Sequence, residues 1–150
     1  MIRSVATLAV VAVLGLTACS AATDPAGPGG ANVTPISIVI GGRTLDAVLS
    51  DNPAARSLLD QLPLTLDFSD YGGQEVLAQP PRPLDMDGMP AGESAPSGTI
   101  GYYAPDDVVV LYYTDVPRFT GIVRLGRIDA DLSQLSGWSD ARSVTIERVE

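Results

Sequence analysis

The sequence predicts a mainly β domain, a closed barrel of about eight strands with one clear helix and one short helical turn. Two observations predict it. Short runs of β-favouring residues bounded by turn residues recur from Ile36 to Val149, and only one stretch between them carries sustained helical spacing.

In the first run Ile36, Ile38 and Ile40 alternate with Ser37 and Val39, and Gly41-Gly42 turns the chain into a second run over 44–49, as in a hairpin. The next stretch reads Asp51-Asn52-Pro53-Ala54-Ala55-Arg56-Ser57-Leu58-Leu59-Asp60-Gln61-Leu62-Pro63. Asn52 is suited to cap a helix and Pro53 to its first turn, while Ala54, Ala55, Leu58, Leu59 and Leu62 share one face, and Pro63 ends it. Six further strands are expected over 64–68, 74–78, 98–103, 108–113, 121–127 and 143–149. The run Val108-Val109-Val110-Leu111 is apolar on both alternating faces and belongs in a central strand covered on each side. Ile128, Leu132 and Leu135 are spaced for one face of a short helical turn over 129–135. Residues 79–97 (QPPRPLDMDGMPAGESAPS) have no usable periodicity and read as a disordered or passive arm.

The chain has 150 residues, nine basic and eighteen acidic, with no histidine and no lysine. One compact domain over 35–150 follows. A net charge of −9 with scattered arginines argues against nucleic acid and against electrostatic attachment to anionic lipid. No cofactor is expected.

The N-terminus has the layout of an export signal. Arg3 supplies a positive charge, an apolar run from Val5 to Leu14 follows, and Leu16-Thr17-Ala18-Cys19 comes next. The run is shorter than the roughly 20 residues of a spanning helix. Those last four residues resemble the lipobox of bacterial lipoproteins. The resemblance implies cleavage after residue 18, diacylglyceryl attachment to Cys19, and retention on the extracytoplasmic face of the cell membrane. Acyl chains contribute about 0.8 kcal/mol per buried methylene, so two hold a domain far better than one. Residues 20–34 are small, polar and rich in Gly and Pro, and read as a flexible tether.

A series of motifs resembles the small bacterial and archaeal cyclophilin-like domain family: Ile-Val-Ile-Gly-Gly at 38–42, Asp-Asn-Pro-Ala-Ala at 51–55, Leu-Pro-Leu at 62–64, Asp-Tyr-Gly-Gly-Gln-Glu at 70–75, Gly-Thr-Ile-Gly-Tyr-Tyr at 98–103 and Val-Arg-Leu-Gly-Arg-Ile at 123–128. The resemblance covers about 36–149 and implies an abridged cyclophilin barrel. Classical cyclophilins isomerise prolyl bonds with an arginine beside a proline pocket of Phe, Gln, Trp and His. Here the Phe-Met-x-Gln-Gly-Gly run and any histidine are missing, so no catalytic residue is carried over. The expected function is a lipid-anchored binding domain for a peptide or small molecule, with a divergent prolyl isomerase as the alternative.

Without histidine or lysine, acid-base work falls to carboxylates such as Asp67, Asp70, Glu75, Asp85, Asp87 and Glu93, which read first as a solvated acidic surface. Asp85-Met86-Asp87-Gly88 departs from a calcium loop after its second acid, and no metal site is expected. Tyrosines are the main aromatic resource. The pairs Tyr102-Tyr103 and Tyr112-Tyr113 send one ring to each face of their strands, one to the core and one available to a groove. The candidate groove residues are Tyr71, Glu75, Tyr102 and Tyr103, flanked by the arm at 79–97.

Overall fold

The computed structural model describes residues 32–150. Cys19 and the lipobox lie outside the described residues, as does most of the stretch read as a tether; β1 (Val33–Ile40) begins within the end of that stretch. Among the described residues no helix is long and apolar enough to cross a membrane.

β1 and β2 (Arg43–Ser50) form the expected hairpin, with Ile40 paired to Arg43. Both residues of the two-residue loop, Gly41 and Gly42, have positive φ, which matches the twist of the flanking strands and which side chains resist. Alternation then sends Ile36, Ile38, Ile40, Leu45, Ala47 and Leu49 to one buried face.

Helix α1 (Pro53–Leu59) starts where predicted. The Asn52 side-chain oxygen accepts the Ala55 N–H at 2.8 Å and so satisfies one of the helix's orphan donors. It ends three residues earlier than its apolar spacing suggests. Gln61 and Leu62 donate to the carbonyls of Leu58 and Leu59, a tighter last turn, and the ring of Pro63 disfavours helical backbone at Leu62. Ala54, Ala55, Leu58 and Leu59 are buried in the same core as the strands, so α1 closes the barrel where β2 ends.

The remaining barrel strands are β3 (Leu64–Tyr71), β4 (Glu75–Ala78), β6 (Thr99–Tyr103), β7 (Val108–Tyr112), β9 (Ile122–Ile128) and β10 (Arg142–Arg148). With β1 and β2 they close in the order β1-β10-β3-β4-β7-β6-β9-β2, all neighbours antiparallel. The eight expected strands are these eight. Closure removes every free edge from the barrel sheet. β7 is central as predicted: Val109 and Leu111 point into the barrel, Val110 and Tyr112 into a second, outer cluster. A 3-10 turn at Leu132–Leu135 takes the place of the expected helical turn, its start capped by Asp131, which accepts from Ser133 N–H at 3.0 Å.

Two further strands were not legible. β5 (Gly92–Ala95) and β8 (Val116–Thr120) pair antiparallel as a separate ribbon, and Ala95 and Val116 pack on the outer cluster. The segment 79–97, expected as a disordered or passive arm, therefore supplies a strand. It also places Leu84 in the barrel core, where the Leu84 N–H donates to the Tyr102 hydroxyl at 3.2 Å.

Because β1 and β10 are neighbours running opposite ways, Val33 and Val149 lie at one end of the barrel, with Val149 N–H donating to the Pro35 carbonyl. β3 starts at that end, Leu64 facing Ile146, and runs to the other, where the chain turns between Tyr71 and Glu75.

Candidate functional site

The turn between β3 and β4 builds one wall of the candidate site. Gly72 and Gly73 take positive φ, and the Asp70 carboxylate accepts the Gly73 N–H at 3.0 Å while also accepting the Tyr113 hydroxyl. This locks the register that sets Tyr71 opposite Glu75, and Glu75 opposite Tyr112 on β7. Directly opposed residues share a face, so Tyr71, Glu75 and Tyr112 form a cross-strand row on the outside of the barrel.

Opposite this row stands the ribbon. Val116 and Phe119 of β8, with Tyr103 at the end of β6, Ile122 of β9 and Asp106 of a 3-10 turn at Ala104–Asp106, complete a cleft of about 330 Å³ together with Gln74 and Leu77. That volume is at the small end of ligand sites, matched to one side chain or a compact molecule rather than to a long stretch of backbone. Its aromatic walls differ in depth. Tyr71 is 65% exposed and Phe119 57%, whereas Tyr112 is 1% exposed and forms the floor. The Tyr103 and Phe119 rings meet with centroids 6.1 Å apart and planes tilted by 40°. The floor depends on a glycine: a Cβ on Gly101 would lie 2.7 Å from Cε2 of Tyr112, so the bare backbone of β6 is what lets that ring lie across it.

Electrostatics follow from this placement. The Glu75 carboxyl is held above its ordinary value, first because half-burial penalises the charged form and then because Asp70 is a like charge nearby. Burial raises the Tyr112 phenol, and Glu75 and Tyr103 push the same way. Desolvation, the hydrogen bond to Asp70 and the charges of Asp70 and Glu75 push the Tyr113 phenol up to about 12. Among the described residues lining the cleft none is basic.

Three of the four candidate groove residues, Tyr71, Glu75 and Tyr103, therefore meet in one cleft, and Tyr102 does not. Its ring is 1% exposed in the barrel interior, and its hydroxyl donates to Asp107 at 2.8 Å while accepting from Leu84. Alternation assigns the members of a tyrosine pair to opposite faces but does not say which face is which. Phe119, Tyr112 and Asp106 were missed as lining residues. Phe119 offered one signal, a large apolar side chain in a short polar stretch ending at Gly121.

Two arginines on other concave surfaces have acidic partners. Arg124 lies 3.5 Å from Glu93, whose carboxylate also accepts the Arg124 N–H at 2.8 Å, and Arg56 pairs with Asp51 beside α1. Asp85 accepts the Asp87 N–H at 2.9 Å, and with Gly88 at positive φ the stretch forms a turn. Among the described residues no group of three or more acids is placed to hold a metal ion.

Residues 38–147 match the sequence model of the cyclophilin-like family. Among solved structures, that of a hypothetical protein from Archaeoglobus fulgidus is similar with a TM-score of 0.60 and 18% identity, over 81% of this chain and 99% of that one. At that identity the likeness concerns the fold. No curated protein is a significant match.

Proposed function

Because the chain belongs to the cyclophilin-like family, we propose that its barrel serves as a lipid-anchored binding domain, and that the cleft between the β3–β4 turn and the β8 ribbon receives a peptide or small-molecule ligand. One observation carries this reading: four aromatic side chains, from β3, β6, β7 and β8, converge on a half-buried carboxylate in a cavity open to solvent. Exposed rings around a polar group orient a ligand while removing apolar surface from water.

The lining favours binding over prolyl isomerisation. An isomerase of the classical kind stabilises the twisted amide with an arginine, whereas this cleft offers tyrosines, Glu75 and Asp106. In the same reading Cys19 carries the lipid and the domain works on the extracytoplasmic face.

The test uses the full chain in detergent with an acetylated proline tetrapeptide, following NMR shifts and cis-trans exchange together. Shifts confined to the cleft, with exchange at its uncatalysed rate, are the expected result. Accelerated exchange that disappears when a single arginine is replaced would make the protein an isomerase. Placement is tested separately: Cys19→Ser should abolish processing and membrane sedimentation, and a variant still processed and membrane-bound contradicts the anchor.

A further inference from the structure

The composition of the cleft points to a charge on its ligand. Aromatic faces carry negative potential, and a cation set over them is attracted in proportion to how fully it sheds water. Here Tyr71, Tyr103, Tyr112 and Phe119 supply the faces, while Glu75 and Asp106 supply carboxylates within the same lining. The lining itself contains no basic residue among those described, so the acids there have no resident arginine as counter-charge. Elsewhere on the surface Arg124 is engaged by Glu93 and Arg56 by Asp51.

We propose that the cleft takes the arginine side chain of a peptide, with the guanidinium set against the Tyr71 and Phe119 rings and paired to the Glu75 carboxylate. The inference rests on the binding reading above and narrows its ligand. A guanidinium is planar, stacks on aromatic rings, sheds water more readily than an ammonium, and presents a fork of donors that matches a carboxylate. The cavity of about 330 Å³ suits one long side chain, leaving the peptide backbone outside. The chain already makes the same kind of contact internally, where the Arg142 guanidinium lies 5.2 Å from the Trp138 ring centroid.

A pH dependence follows. The groups around Glu75 are Asp70 and Tyr71 on β3, Tyr112 on β7 and Tyr113 just past its end, Tyr103 on β6 and Asp106 beyond it, while β8 brings only Val116 and Phe119 to the lining. Burial and, of these neighbours, Asp70 disfavour the ionised form of Glu75. An arriving guanidinium favours that form, so affinity rises with pH as Glu75 ionises and levels off above its raised pKa.

The experiment titrates the full chain in detergent with acetyl-Gly-Arg-Gly-amide and with peptides carrying citrulline or lysine in place of arginine, read by NMR. The arginine peptide should shift Tyr71, Glu75 and Phe119 signals and bind about tenfold more tightly than the citrulline peptide, which has the same shape without the charge. Glu75→Gln and Phe119→Ala should each weaken it by about tenfold while the Trp138 indole signal, outside the cleft, stays in place. Equal binding of the citrulline peptide inside the cleft overturns the cation while leaving the binding domain standing. Equal binding of the lysine peptide, or equal competition by tetramethylammonium, overturns the choice of arginine. Shifts that map outside the cleft, or no shifts with any of the three peptides, overturn the inference; if the proline tetrapeptide also fails there, the binding reading falls with it.

Discussion

Tyr102 and Tyr112 sit on neighbouring strands of one sheet, both 1% exposed, and they serve opposite layers. Tyr102 points into the barrel with Leu, Ile, Val and Phe side chains, and its hydroxyl is occupied by Asp107 and Leu84. Tyr112 points outward into a cluster whose buried members among the described residues are Ala95, Val110, Tyr112 and Ile122, and it floors a cleft. The inner layer is one continuous cluster of buried side chains drawn mainly from the barrel strands and α1. The outer layer is thin, roofed by a two-stranded ribbon, and left open along one margin. Stability and recognition are therefore carried by different faces of the same strands.

Truncating a large apolar residue in each layer tests that division most strongly. Leu125, fully buried inside the barrel, should cost about 2–5 kcal/mol when changed to Ala, because transfer energy is lost and a cavity is left. Phe119→Ala on the cleft wall should change stability by about 0.5 kcal/mol or less, since most of that ring already meets water. Urea unfolding of both variants measures the contrast, and equal losses would erase it.

Gly92→Ala asks whether the roof opens without the barrel. A Cβ there would lie 2.5 Å from the Phe119 carbonyl oxygen and 2.8 Å from the Thr120 Cα, backbone contacts that only displacement of β5 from β8 relieves. The expected cost is about 1–3 kcal/mol. Amide exchange should accelerate in β5 and β8 and stay slow in β7 and β10; uniform acceleration would mean that ribbon and barrel unfold as one unit.

The smallest effect concerns pH. Burial and Asp70 raise the Glu75 carboxyl above 4.5, so the folded protein holds that proton more tightly than the unfolded chain does. Glu75 therefore lowers stability as pH climbs from 4.5 through its raised folded value, and the deficit is complete above that value. Glu75→Gln should recover about 0.5 kcal/mol or less at pH 7, because the open side of the cleft screens the charge, and the gain should vanish as pH falls below the ordinary carboxyl range. Thermal unfolding followed from about pH 3.5, roughly one unit below the ordinary carboxyl value, up to about neutral pH decides the sign. A gain that persists at the acid end would assign the effect to packing.

The two layers also differ in how far the sequence disclosed them. Barrel strands bury one face against a continuous core, so Ile36, Ile38 and Ile40 announce their strand through period-two alternation alone. β5 is Gly-Glu-Ser-Ala inside a proline-rich stretch, and β8 contains Pro117 and Arg118 with four of its five residues exposed. β5 has no local preference for extended structure, and in β8 Pro117 and the lack of a buried alternating face mask the β-favouring Val116, Phe119 and Thr120; the two strands are fixed by pairing with each other. The cleft inherits that opacity. Tyr71 and Glu75 were legible because one turn motif carries both, while Phe119 and Asp106 come from elements whose positions only tertiary pairing fixes. The helix start was legible through Asn52 and Pro53, and its end was not, because Leu62 keeps the apolar spacing of α1 although Gln61 and Leu62 already close a tighter turn onto Leu58 and Leu59.

The adjacency of β1 and β10 gives the barrel a polarity. Entry and exit of the chain share one pole, and the Tyr71–Glu75 turn occupies the other, an eight-residue strand away, about 25 Å at 3.3 Å per residue. A molecule that reaches the aromatic rim at Tyr71 therefore meets the barrel far from the pole where Val33 and Val149 stand.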